Sequence, residues 1–509
     1  MVESFAIIFA RIEGLINRQR SFTALFIVIT GVLLTDILFN HIYPSITIYF
    51  DQQFGISIND HQKVDLTFAP EIWGGVLATV LGTLIIVIAI AAESTPKLMD
   101  LFVKDWLSLI FIWFLIFASI HAIIIMYYFE PLDRISSVIL NTYVYLPLST
   151  ILSLPYIFYI LLYSKTDNVI KKLYSLNVNN IKRLQKKSIH ISMQNTDVVE
   201  HYQYSLMATI DQFDDLLEYI SFKEAQTEII RRVGDTIRVY MENKDEISQN
   251  FFSATQTVRF NPTFRTYVEN QYKELEERKT FYEVKSFRMM GNAYIRKMDN
   301  GEYELASLIV SEVVDIGLLA LKLNHEDLIT DINIRFNTFM RFAIKHAIRN
   351  NEPRNLYNLA FHYSLLLQGY VNHKKQDLLK QGYFYFKYYG NEIYKHAANN
   401  PSLYFIVDTL TSELKKISII ISEREWDNEI QEHLLGVILQ LDNPPDYPKE
   451  NLDQNVNNGV RVLQIGLALH YIKIEKPKFA EIIISDVLDD LAYFDNKTYL
   501  DLMDGLYNR

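Results

Sequence analysis

Apolar residues are concentrated in four long runs near the start of this 509-residue chain, and no run of comparable length follows them. The runs cover residues 21–43, 72–92, 106–128 and 138–163. Each reaches the ~20 apolar residues that a helix needs to cross a hydrocarbon core ~30 Å thick. The pattern predicts an all-α membrane protein with three parts: a four-helix transmembrane bundle over 21–163, a basic juxtamembrane linker over 164–199, and a large α-helical cytosolic domain over 200–509.

The first 20 residues have a different, amphipathic pattern. They lack the basic start and the small-residue cleavage site of a signal peptide. Their apolar residues fall on one helical face: Phe5, Ile8, Phe9, Ile12, Leu15 and Ile16. Residues 1–20 therefore predict an amphipathic helix, which lies either on the membrane surface or against the cytosolic domain.

The sign of the flanking charge alternates between the two ends of the apolar runs. Basic residues precede the first run and separate the second from the third, whereas acidic residues dominate the loop between the first and the second. Basic flanks favour the cytoplasmic side of a membrane. We expect a multi-pass protein of the bacterial inner membrane with both termini in the cytoplasm.

A strong basic cluster follows the fourth run. It consists of Lys171, Lys172, Lys182, Arg183, Lys186 and Lys187. Each basic residue close to an anionic bilayer contributes about 1 kcal/mol of attraction, so the cluster predicts contact with lipid headgroups. The alternative is that it serves only as a topology signal.

The second run has small residues at helical spacing. Gly74, Ala78 and Gly82 are four residues apart, and Thr79 and Thr83 form a neighbouring row. Small residues at this spacing let two helix backbones approach closely. Two interpretations are open: tight packing inside the bundle, or a polar-edged face lining a pore between subunits.

Glu93 lies at the cytoplasmic end of the same run. In the pore interpretation, one copy of this carboxylate from each subunit would form a ring at the mouth, as acidic rings do in cation pathways.

Two ionisable residues interrupt the apolar runs. Counted from the cytoplasmic ends of their runs at ~1.5 Å per residue, Asp36 lies ~21 Å and His121 ~22 Å across the membrane. A carboxylate inside a bilayer costs about 2.5–3.5 kcal/mol and so faces protein or water. We predict an Asp36–His121 pair at the centre of a polar layer that also takes in Thr79 and residues 141–145. The alternative is a hydrated Asp36 near the outer surface and a separately hydrogen-bonded His121.

Residues 200–509 have helical periodicity nearly throughout. Helix-breaking pairs recur at intervals of about 30 to 50 residues, which is the size of helical-hairpin repeats. They are Asn261-Pro262, Asn300-Gly301, Glu352-Pro353, Asn400-Pro401, Pro444-Pro445 and Lys476-Pro477. No sequence motif repeats with them, so the pattern predicts helix pairs in series without a named repeat.

Charge and composition exclude several functions. The 14 basic and 14 acidic residues of 1–199 cancel, so the net charge of −11 belongs to residues 200–509. An acidic soluble part disfavours nucleic-acid binding, which needs clustered Lys and Arg. The chain has no cysteine and no phosphate-binding, zinc-protease or serine-hydrolase motif. We therefore expect no metal and no cofactor, and an enzyme is the least supported class.

The layout resembles an uncharacterised family of bacterial membrane proteins. Its members have a Gly/Ala/Thr-rich second helix, two further helices and a helical cytosolic region. The similar segments here are Gly82–Leu101 and Val313–Leu321. The resemblance implies a fold and no activity, so it assigns no functional residue.

Together these patterns predict an oligomeric, channel-like membrane protein that is gated or regulated by its cytosolic helical domain. Identical subunits would together enclose the pore. The alternative is a membrane-tethered scaffold or sensor, whose acidic helical domain binds a basic cytosolic protein partner.

Overall fold

We analysed a computed structural model of the chain. It describes residues 20–54, 69–94, 105–128, 135–163, 165–397, 400–441, 458–491 and 496–507. Within these ranges the fold is all-α and contains no strand, as the sequence predicts. The chain divides into two compact units, the first comprising Met1–Ile229 with Glu246–Val258 and the second Ile230–Asp245 with Arg259–Arg509. The sequence placed the corresponding boundary earlier, at residue 200.

The first unit begins with apolar helices. They are α1 (Arg20–Phe54), α2 (Ala69–Ser94), α3 (Trp106–Tyr128), α4 (Ile135–Ile139), a π-helical segment (Leu140–Tyr145) and α5 (Leu146–Tyr163). Helix α1 packs on α3 and α4, and α2 packs on α3 and α5. The Leu146 N–H donates to the Asn141 carbonyl five residues earlier, and Pro147 next to it has no N–H to continue α-helical bonding.

Three stretches are long and apolar enough to cross a membrane: Arg20–Tyr49, Trp106–Ile125 and Ile135–Leu162. They cover the first, third and fourth predicted crossings. The second prediction, 72–92, falls in α2, but the apolar part found there, Glu71–Ile86, is shorter than the other three. Among the described residues, three of the four predicted crossings therefore have the length and composition of a membrane span, and these two criteria do not confirm a four-helix transmembrane bundle.

The segment predicted as a basic linker is mostly helical. It forms α6 (Thr166–Leu184) and α7 (Lys187–Ser192), and α8 (Thr196–Tyr219) follows. Helix α6 is amphipathic and packs on α8. Its buried apolar stripe consists of Val169, Ile170, Leu173, Ile181 and Leu184. The many lysines of this segment led to the prediction of a linker, and the apolar periodicity of α6 was missed.

The rest of the chain is a long series of helices. Helix α9 (Lys223–Asn243) runs from the first unit into the second and is followed by α10 (Gln256–Arg259). The remaining helices of the second unit are α11 (Glu269–Arg278), α12 (Phe281–Asp299), α13 (Tyr303–Lys322), α14 (Glu326–Asn350), α15 (Arg354–Asn372), α16 (Gln376–Ala397), α17 (Ser402–Glu423), α18 (Asn428–Ile438), α19 (Asn458–Lys473), α20 (Pro477–Leu491) and α21 (Asn496–Tyr507).

Helices α12 to α17 pack in series. Each contacts the next helix and the one after it, so the core runs along the array between two rows of helices. Large aromatic side chains fill this core: Tyr294, Phe336, Tyr363, Tyr383 and Phe386 are all buried. This packing bears out the prediction of helix pairs in series.

One backbone motif closes most turns of the array. Seven turns contain a residue with positive φ: Lys279, Gly301, Asn324, Asn351, Lys374, Glu425 and Glu475. In each, the next N–H donates to the carbonyl five residues before it, which is the long hydrogen bond of a Schellman motif. Every second turn from Asn324 onwards belongs to one series. Its left-handed residues, Asn324, Lys374, Glu425 and Glu475, recur every 50 or 51 residues. The structural repeat is thus about one helical hairpin long.

We predict that Lys374→Gly stabilises the protein. A side chain in the left-handed region costs about 1 kcal/mol, and glycine avoids this cost. The exposed Lys374 lies at φ 55°. The exposed Gln381, inside α16, is the matched control. There, glycine should destabilise by about 0.5–1 kcal/mol. Thermal unfolding of the detergent-solubilised chain measures both, and two shifts of the same sign would contradict this account.

Candidate functional site

Asp36 is a buried carboxylate in the middle of the apolar helix α1. It is 8% exposed, and its Oδ1 has no hydrogen-bond partner among the described residues. The nearest basic group is His121 on α3, whose Nε2 lies 3.8 Å from this oxygen. This distance allows electrostatic attraction but exceeds a hydrogen bond. The structure thus brings together the two residues that were predicted to lie at a similar depth in the membrane.

His121 has a second polar neighbour on its other side. The Asn141 Nδ2 lies 3.1 Å from His121 Nδ1 and also donates to the Ala118 carbonyl at 2.9 Å. Asn141 belongs to the π-helical segment and is buried. This single amide therefore joins the π-helical segment to α3 at two points.

The Asn141 amide is also fixed from the side of α2. The indole Nε1–H of Trp73 donates to Asn141 Oδ1 at 2.8 Å, and Trp73 is completely buried. The indole can only donate and the Ala118 carbonyl can only accept, so the two ends of the amide cannot be exchanged. The NH₂ group must face His121, and His121 Nδ1 must accept.

These contacts assign the tautomer of His121. A neutral imidazole whose Nδ1 accepts carries its proton on Nε2. That N–H faces Asp36. An imidazolium would present an Nδ1–H to the Asn141 NH₂ group, placing two donors against each other. The neutral Nε2–H form is therefore the one that this arrangement accommodates.

We call Asp36, Trp73, His121 and Asn141 the polar layer. Its members come from α1, α2, α3 and the π-helical segment, so all the apolar stretches contribute. The sequence predicted Asp36 and His121 and included residues 141–145, but Trp73 was missed. The available signal was an aromatic N–H donor at the start of an apolar run, where such residues are common at membrane interfaces.

Two further contacts border the polar layer. The Tyr145 hydroxyl donates to the Val32 carbonyl at 3.4 Å, one turn before Asp36. The Ser136 hydroxyl donates to Asn40 Oδ1 at 2.6 Å, one turn after it. They connect α1 to α4 and to the π-helical segment, on both sides of the Asp36 carboxylate.

The predicted small-residue face lies elsewhere. Thr79 is exposed, and its hydroxyl donates to the Gly75 carbonyl of its own helix at 2.8 Å. The Thr83 hydroxyl likewise donates to the Thr79 carbonyl at 2.7 Å. A Cβ added at Gly74, Gly75 or Gly82 would meet nothing within 4 Å. Close packing against another helix among the described residues therefore does not explain these glycines, and the hydrogen bond of the Thr79 hydroxyl stays within α2.

The predicted mouth residue Glu93 belongs to the last turn of α2, but its side chain lies outside the described residues.

A second carboxylate marks the opposite end of the apolar helices. Asp105 precedes α3 and accepts from the Ser108 N–H at 3.1 Å and the Ser108 hydroxyl at 3.0 Å. The Tyr159 hydroxyl of α5 donates to it at 3.1 Å, and Lys172 Nζ of α6 lies 3.1 Å away. Burial alone would raise the pKa of Asp105, but Lys172 and Ser108 outweigh it and hold the pKa below its ordinary value.

Asp105 was missed by the sequence analysis, although an aspartate directly before an apolar run and three residues before a serine is a helix N-cap signal. We call Asp105, Ser108, Tyr159 and Lys172 the inner clamp.

The basic cluster is thereby divided. Lys172 belongs to the inner clamp, so its charge is engaged by Asp105. The other predicted headgroup residues have exposed side chains: Lys171, Lys182, Arg183, Lys186 and Lys187. Lysine spacing alone could not distinguish the one inward-facing lysine from its neighbours.

The second unit contains a polar cavity of about 280 Å³ near the turn at His325-Glu326-Asp327. The Arg278 Nε lies 3.7 Å from Asp327, and Lys244 Nζ pairs with the buried Glu283 at 2.7 Å. No group of three metal-ligating side chains occurs among the described residues, here or elsewhere. Because ion pairs already engage charged side chains of this cavity, we assign it to the structure of the array and not to a site.

Comparison with known proteins adds little. No family model and no curated protein matches the chain. One solved structure that it resembles is described as a "Circular tandem repeat protein with novel repeat topology and enhanced subunit contact surfaces". The sequence identity is 11% and the TM-score is 0.41, with 86% of this chain and 98% of that chain covered.

We predict that Trp73→Phe destabilises the polar layer. The variant keeps an aromatic ring but leaves the buried Asn141 Oδ1 without its donor, at a cost of about 1–3 kcal/mol. Trp113→Phe is the control, because that indole donates to Ser21 at 3.4 Å in a partly buried position. Thermal unfolding in detergent should show a clear loss for the first variant and little change for the second. Equal losses would argue against the assigned hydrogen bond.

We also predict that Lys172→Gln weakens the inner clamp, whereas Lys171→Gln leaves it intact. Removing the Lys172 cation from the partly buried Asp105 carboxylate costs about 1–3 kcal/mol. Because the pKa of Asp105 is depressed in the folded chain, the clamp's stabilisation is present above the ordinary value of 3.8 and is lost as pH falls through the folded pKa.

The difference in unfolding temperature between Lys172→Gln and the unmodified chain should therefore persist across mildly acidic pH. It should shrink only below the ordinary pKa of an aspartate. A difference that disappeared between neutral and mildly acidic pH would contradict the depressed pKa of Asp105.

Proposed function

We propose that this chain is an oligomeric, channel-like membrane protein whose polar layer forms part of an ion pathway. The polar layer is the observation that carries the proposal. Ionisable residues within apolar membrane helices are rare and mark ion pathways or proton relays. Asp36 and His121 face each other across α1 and α3 and not towards the outside of the helices.

The apolar helices support a membrane location. Only 22%, 33% and 28% of the three long apolar stretches is buried within the chain. Large side chains such as Phe22, Phe26 and Ile37 are mostly exposed. In water this apolar surface would be costly, whereas lipid or another subunit would cover it favourably.

An assembly of identical copies completes the proposal. Four helices rarely enclose a pore by themselves, and symmetric association supplies one. The open face of α2 at Gly74, Gly75 and Gly82 suits such a contact, because no described residue lies within 4 Å of a Cβ added there. We place this face between subunits rather than inside the bundle.

The inner clamp offers a route for regulation. It connects α6 to the start of α3 and to the end of α5. With the predicted orientation, this end faces the cytoplasm, and the exposed basic residues around it contact anionic headgroups. The helical array would act on the channel through the segments that precede it, and its acidic charge suits a basic cytosolic partner.

Reconstitution tests the proposal. Purified protein in planar bilayers should conduct ions, and Asp36→Asn should change the conductance or its ion preference severalfold. Glu71→Gln is the matched control, because that carboxylate is exposed at the start of α2. Gly82→Leu should disturb assembly, as shown by a smaller particle on size-exclusion chromatography. Absence of conductance in every condition would overturn the channel.

A scaffold role is the second candidate, and the helical array favours it. Tyr357 on α15 and Phe405 on α17 stack with ring centroids 5.8 Å apart although both are exposed. Such arrays commonly bind partners along an extended surface. If the apolar helices were only an anchor, replacing them with an unrelated four-helix anchor would preserve activity in cells, and Asp36→Asn would be silent.

A further inference from the structure

The polar layer contains a carboxylate with no compensating positive charge. Among the described residues, His121 is the only basic side chain within 4 Å of Asp36, and its partners hold it neutral. An ionised Asp36 would therefore leave one net negative charge inside the apolar helices. Such a charge is costly among apolar helices.

The other neighbours do not remove this charge. Helix α2 contributes Trp73, which only donates a hydrogen bond and is already bonded to Asn141. The π-helical segment contributes Asn141 and Tyr145, and the Tyr145 hydroxyl donates to Val32. Tyr145 and His121 are the titratable groups that face Asp36, and neither is positively charged in this arrangement.

We infer that the polar layer is a proton-binding site in which Asp36 carries the proton and His121 stays neutral. This inference rests on the proposed function, since it takes the polar layer as the working part of the pathway. One proton from water binds a carboxylate oxygen of Asp36, and the layer becomes electrically neutral.

The position of the proton follows from Asn141. A proton placed on His121 instead would create an Nδ1–H facing the Asn141 NH₂ group. Relief of that clash requires turning the amide, which breaks the hydrogen bonds to Trp73 and Ala118. Protonation of Asp36 breaks neither of them, so the proton belongs on the carboxyl group.

A regulatory consequence follows. The buried layer fits the protonated carboxyl group, whereas a bare carboxylate requires hydration. Loss of the proton therefore favours entry of water and opening of the layer, and proton binding favours closure. We expect conductance to rise as the solution facing the layer is made alkaline enough to remove the proton, and Asp36→Asn to remove this dependence.

Infrared and nuclear magnetic resonance spectra test the inference without relying on conduction. At neutral pH, the full chain should show a carboxylic-acid C=O band that disappears in Asp36→Asn and remains in Glu71→Gln. In ¹⁵N-histidine-labelled protein, the signal missing from His121→Gln should have the shifts of a neutral ring protonated at Nε2.

The outcomes separate clearly. Identical infrared spectra of Asp36→Asn and the unmodified chain, or an imidazolium signal for His121, would overturn the inference even if the protein conducts. A band that depends on Asp36, together with no conductance, would support the proton site and count against the channel.

The role of Asn141 has a test of its own. Asn141→Leu removes the donor from His121 Nδ1, so His121 should become more basic and part of the carboxylic-acid band should be lost. Asn141→Ser, which keeps a small polar group, provides a second variant if the first does not fold. An unchanged His121 signal in a folded variant would contradict the assigned role.

Discussion

The arrangement of the apolar helices depends on one buried amide. Asn141 accepts from Trp73 and donates to Ala118 and His121, so it connects α2, α3 and the π-helical segment at one point. A buried amide with missing partners is costly, and this cost fixes the rotation of each helix about its axis. The π-helical winding places Asn141 at this junction, six residues before Pro147. The π-helical segment and the polar layer are therefore parts of one feature.

The two carboxylates of the apolar helices illustrate how surroundings decide protonation. Asp105 has a lysine, a hydroxyl pair and a helix N-terminus around it, and these partners favour its charged form. Asp36 faces a neutral imidazole and lacks any such partner on Oδ1. The same side chain thus serves as a permanent anion at one end of α3 and, in our proposal, as a proton carrier near the other.

The sequence predicted what depends on periodicity and depth. The all-α fold, the serial helix pairs and the proximity of Asp36 to His121 follow from counting residues along helices. Trp73 and the Asp105–Lys172 pair could not be predicted in this way, because they depend on how helices rotate against each other. The turns at Lys374 and Glu425 were missed for another reason. Their left-handed residues are neither glycine nor proline, and the 50-residue period is held by backbone hydrogen bonds that leave little trace in side-chain identity.

Helix α3 makes the inner clamp and the polar layer mechanically dependent on each other. Asp105 caps its start, and His121 lies 16 residues, or ~24 Å, further along the same rigid rod. A shift of α6 that carried Lys172 along would pull on Asp105 and move α3 along its axis. Since His121 lies 3.8 Å from Asp36 and 3.1 Å from Asn141, both contacts depend on the position of α3. A small movement at the inner end can therefore change which partner His121 favours. That choice determines how well the polar layer accommodates the proton that we place on Asp36.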